Sequence, residues 1–88
     1  VSFDITAALT EVQAKTDAQI EIETAYRWGS RALACYLLHE RSGELRWFLR
    51  AEDMRHEAIE HAALSGEARV LQTIESAIET TRRRVAPR

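Results

Sequence analysis

One stretch of this chain concentrates the side chains that could do chemistry: Glu52, Asp53, His56, Glu57, Glu60 and His61, with Glu23 well ahead of them. Carboxylates bridge hard metal ions, and a neutral imidazole completes their coordination. Helical bundles hold pairs of iron or manganese ions with Glu from one helix and Glu-x-x-His from another. The i, i+3 spacing matters because it sets carboxylate and imidazole on one helix face. Asp53-Met54-Arg55-His56 keeps that spacing with Asp in place of Glu, and Glu52 with His56 offers an i, i+4 alternative. The same residues have a plainer use. A carboxylate and an imidazole near an apolar face need partners, and can satisfy each other or an arginine such as Arg55.

Other chemistries find less support. His56-Glu57-Ala58-Ile59-Glu60-His61 has the residue types of a zinc protease but not the spacing, which is His-Glu-x-x-His or its inverse His-x-x-Glu-His. Cys35, beside Trp28 and Ala32 on a helix surface, reads as a packed small hydrophobe. Lys15, Arg27 and Arg31 do not form the cationic pocket that a helical chorismate mutase needs, and no glycine-rich phosphate loop is present. No catalytic residue is assigned, and the chain reads as non-enzymatic.

These residues must be positioned by helices. Ala, Leu, Glu and Arg dominate, and strand alternation is missing. The first helix is expected from about Asp4 to Arg41, with Asp4 or Thr6 as N-cap. Ser42-Gly43-Glu44 makes a turn, a second helix follows to about Leu64, and Ser65-Gly66-Glu67 repeats the turn. A third helix runs from about Glu67 to Arg84, ahead of Pro87. The fold class is therefore all-α: a long antiparallel helical hairpin plus a third, shorter helix. At 100° per residue, Ala18, Ile22, Ala25, Tyr26, Gly29, Leu33, Tyr36 and Leu37 share the apolar stripe of the first helix. Small residues at Ala18, Ala25, Gly29 and Ala32 would admit another helix closely, and oligomerisation is expected through this stripe and the Trp47–Ala62 face of the second helix. On the second helix, Leu45, Phe48, Ile59 and Ala63 face one way. Trp47, Ala51, Met54, Ala58 and Ala62 adjoin them, and Arg46, Arg50, Asp53, Glu57 and Glu60 form the polar side. The third helix carries Val70, Leu71, Ile74, Ile78, Thr81 and Val85.

Glu57-Ala58-Ile59-Glu60-His61-Ala62-Ala63 resembles the second-helix signature of ferritin-like proteins, above all the short encapsulated ferritins, over about Ile20 to Leu64. That resemblance implies a hairpin with a shorter third helix, a bundle completed by dimerisation, and a ferroxidase-type iron or manganese site between subunits. The implied ligands are Glu23, Glu52 or Asp53, His56 and His61. The chain departs from the pattern in having Ala58 three residues before His61. With the turn near residues 42–43, Glu23 lies level with residue 62 rather than 53, so a site joining Glu23 to Asp53 would have to form between subunits.

Composition sets the remaining bounds. Eighty-eight residues make one domain with a marginal core, and disulfide support within the chain is excluded because Cys35 is the single cysteine. The net charge is −2, with 14 acidic and 12 basic residues, which does not favour a nucleic-acid partner. The one basic run, Arg82-Arg83-Arg84, ends a helix, where cations complement the macrodipole. No apolar run spans a bilayer and no leader pattern is visible, so a cytoplasmic location without membrane attachment is expected. A first helix of roughly 55 Å is more than a second of roughly 30 Å can cover, so either Gly29-Ser30 bends it or the third helix or a second subunit covers the rest. The chain thus reads as a homo-oligomeric structural or interaction module without a cofactor. The ferritin-like alternative binds iron or manganese.

Overall fold

The structure, a computed structural model, describes residues 2–87. Among the described residues there are four helices, α1 (Ile5–Ala14), α2 (Asp17–Ser42), α3 (Leu45–Leu64) and α4 (Ala68–Val85). Among the described residues there is no strand, and no helix is long and apolar enough to cross a membrane.

The expected first helix is two helices. Lys15 and Thr16 are extended (ψ 146° and 159°), and α2 restarts with a reciprocal capping box. The Thr16 hydroxyl accepts from the Gln19 N–H at 3.2 Å, and Gln19 Oε1 accepts from the Thr16 N–H at 2.8 Å. A threonine followed three residues later by a glutamine satisfies two N–H groups that a helix start leaves free, so the break is favoured at this point. Asp4 caps α1 as expected, accepting from the Ala7 N–H at 3.0 Å. From Asp17 onward α2 is continuous, with no interruption at Gly29-Ser30.

The two serine–glycine–glutamate turns share one mechanism. Gly43 and Gly66 are left-handed (φ 72° and 73°), a conformation costly for any residue with a Cβ. The Ser42 hydroxyl donates to Leu38 O and accepts from the Glu44 N–H, and Ser65 does the same between Ala62 O and Glu67 N–H. Each serine thus closes one helix and starts the next.

α2 and α3 form the antiparallel hairpin through a seam of alanines. Ala25 and Ala32 on α2, and Ala51, Ala58 and Ala62 on α3, are completely buried. The small-residue stripe expected to meet another subunit therefore packs within the chain. Gly29 is not part of the tight seam, because a Cβ there would meet nothing within 4 Å. Tyr36 and Phe48 meet edge to face at 5.5 Å and fill the end of the hairpin near the first turn. α4 folds back onto its own hairpin, burying Ile74, Ile78 and Val85. It runs antiparallel to α3, since Arg82 reaches Glu52 and Glu79 reaches Arg55.

The Cα trace is only 14 Å thick, which leaves room for two layers of helices. α4 covers one face of the hairpin. Among the described residues, no helix covers the other. α1 also stands off the body. It buries none of its residues and exposes Ile5, Leu9 and Val12, with Phe3 ahead of it 87 % exposed. Lys15 ties its end to α2 through ion pairs to Glu11 and Glu23 at 2.9 and 2.7 Å.

Candidate functional site

The covered face of the hairpin holds a charged lock. Tyr36 Oη donates to Glu52 Oε1 at 2.6 Å, and Arg82 Nε donates to the same oxygen at 2.7 Å. Partial burial pushes the Glu52 carboxyl up, but the hydrogen bonds from Arg82 and Tyr36 outweigh it and hold the carboxyl below its ordinary range. Burial first, and the bond to Glu52 second, push the Tyr36 hydroxyl well above its ordinary value. Arg84 bonds Glu40 at 3.1 Å and Arg83 bonds Glu79 at 3.0 Å. Every arginine of the basic run therefore meets a carboxylate, and two of them reach across to neighbouring helices, which goes beyond completing the dipole of α4.

The uncovered face has a different chemistry. Trp28 and Met54, both half-buried, share an open concavity of about 530 Å³ with Arg50, Asp53, His56 and Glu57. None of its lining comes from α4. Arg31 lies over the Trp28 ring at 5.4 Å, and Arg46 and Arg50 lie over the Trp47 ring at 4.7 and 5.3 Å. The Cys35 thiol is buried with its sulfur 3.7 Å from that of Met54, the packed role expected of it.

Further along the hairpin, His61 sits between two carboxylates. Its Nδ1 is 2.6 Å from Glu21 Oε2, and its Nε2 is 3.6 Å from Glu57 Oε2. Glu21 can fix the ring by accepting from Nδ1–H, leaving Nε2 toward Glu57.

The five residues expected as metal ligands are dispersed. Glu23 binds Lys15, and Glu52 is held by Arg82 and Tyr36 on the covered face. Asp53 lies exposed on the rim of the concavity, and the His56 side chain is 77 % exposed with Glu60 at 3.6 Å. Only His61 joins a cross-helix carboxylate–imidazole pair, and its carboxylate partner is Glu21 rather than Glu23. Residues two apart on a helix differ by about 200°, so Glu23 turns away from α3 when Glu21 turns toward it. The hairpin register and the helical period together point to Glu21, which residue type alone does not single out. Among the described residues, no group of three or more His, Cys, Asp or Glu side chains is arranged to hold a metal ion within one chain.

No family model, curated protein or solved structure matches this chain.

Proposed function

We propose that this protein is a structural or interaction module that assembles with copies of itself through the hairpin face opposite α4. The observation that carries this reading is the placement of both tryptophans beside that uncovered face, each stacked with arginine. Trp and Arg dominate the energetics of protein interfaces because they combine large apolar area with directional polar contacts. Pairing two hairpins over this face would also complete a four-helix core, which a chain of this size gains from.

Sedimentation at micromolar concentration tests the reading directly. The expected result is a discrete dimer or larger oligomer, converted to monomer by Trp47→Glu with its helical circular dichroism retained. A wild-type chain that stays monomeric up to about 100 μM overturns it, because a Kd above that range is too weak for a stable module.

One observation favours a second reading, a ferritin-like protein holding iron or manganese between subunits. His61 lies on the same side of the hairpin as the proposed contact, with Glu21 orienting its ring and Glu57 beside its other nitrogen. Two such sets facing each other would supply two imidazoles and two or more carboxylates, a donor set suited to these metals. Elemental analysis of protein purified from cells supplied with iron and manganese decides it. Stoichiometric metal lost in His61→Ala supports this reading; metal-free wild-type oligomers reject it.

A further inference from the structure

The surface used by the self-association reading, on which this inference rests, is ordered by charge. Arg46 and Arg50 occupy the first half of the outer stripe of α3, and Asp53, Glu57 and Glu60 the second. Steps of three and four residues keep them on one side of the helix. Arg50 and Glu57 both line the concavity that Trp28 and Met54 share. Among the described residues, Arg50 stacks on Trp47 without an ion pair, and Asp53 makes none either.

A stripe that is basic at one end, acidic at the other and apolar alongside complements itself under one rotation. A two-fold axis across α3 brings Arg46 and Arg50 onto Glu60 and Glu57, with Asp53 at the axis itself, whereas parallel pairing sets like on like throughout. A uniformly acidic or basic partner is repelled by one half in any orientation. We infer that the concavity is occupied by a second copy of this chain, with α3 antiparallel to α3 and the axis beside Asp53 and Met54. Arg50 then faces Glu57 of the partner subunit, and Arg46 faces Glu60 of the partner subunit. Because the contact is isologous, each pair forms twice.

Charge exchange tests this register. Arg50→Glu alone and Glu57→Arg alone each place two like-charged pairs across the axis, and each is expected to raise the dimer Kd at least about tenfold. The double variant Arg50→Glu/Glu57→Arg restores two opposite-charged pairs, and so does an equimolar mixture of the two single variants. Retained helical circular dichroism in each single variant separates loss of pairing from loss of folding. Failure of both the double variant and the mixture to recover wild-type association overturns the register.

A second measurement keeps the two readings apart. Spin labels at Leu45→Cys or Leu64→Cys, in a Cys35→Ala background, should sit at least about 25 Å from their equivalents, since 1.5 Å per residue separates both positions from the axis. A dimer with short distances at both positions overturns the antiparallel register while self-association stands. A wild-type monomer removes both.

Discussion

The two faces of the α2–α3 hairpin carry similar side-chain types and treat them differently. On the face under α4, arginines bond carboxylates: Arg82 and Tyr36 converge on Glu52, and Arg84 holds Glu40. On the open face, arginines lie over tryptophan rings while Asp53 is left to solvent. The difference follows from what each face has to bury. α4 brings its own cations to a partly desolvated site, where a charge needs a partner. Among the described residues the open face has no third helix; Arg31 and Arg50 shield tryptophan surface without a carboxylate partner, and Arg46 both stacks on Trp47 and bonds Glu44. A face whose charges are mutually satisfied is finished as folded. One that keeps aromatic surface beside unpaired charge is ready for a partner.

Variants on the covered face should affect folding of the single chain. The largest effect is expected from Ile78→Ala, which empties a site 1 % exposed where α4 meets the hairpin. Its cost is about 2–4 kcal/mol, read from urea denaturation. An Ile78→Ala chain as stable as wild type would mean that α4 is not a fixed third helix, and the contrast between the faces would collapse.

Glu52→Gln probes the lock and sharpens the contrast. It should lower stability by about 1–2 kcal/mol at neutral pH, because it replaces a charge-assisted bond to Arg82. Acid should have a related effect. The Glu52 carboxyl titrates lower in the folded chain than in the unfolded one. Its contribution is therefore present above the unfolded carboxyl pKa and lost as pH falls through the folded one. Melting temperature should drop on acidification below about pH 4, and drop less in Glu52→Gln. Equal acid sensitivity in the two proteins would assign the effect to other carboxylates.

The smallest effect is expected at Gly29, which borders the groove between α2 and α4. A Cβ there meets no atom within 4 Å. Gly29→Ala should therefore stabilise the chain by about 0.5–1 kcal/mol, through helix propensity and a less mobile unfolded state. Destabilisation would show that the groove closes more tightly than the backbone path indicates.

The sequence alone determined the helical class and both serine–glycine–glutamate turns, and narrowed the first N-cap to Asp4 or Thr6, because these depend on residues within a few positions of one another. The apolar stripe of α4 is local in the same sense, and Ile74, Ile78 and Val85 fall on its buried side. The break at Lys15–Thr16 is equally local, since Thr16 and Gln19 spell a capping box, but helix-forming composition with no glycine or proline before Gly29 predicts one longer helix. Only the tertiary structure decided how the side chains are shared out. Alanines suited to a second subunit are used inside the hairpin, and Glu52 is captured by an arginine thirty residues later, once α4 folds back. It also decided that Glu21 meets His61 while Glu23 turns away. Those outcomes depend on which helix arrives on which face, a choice set by packing between segments far apart in the chain.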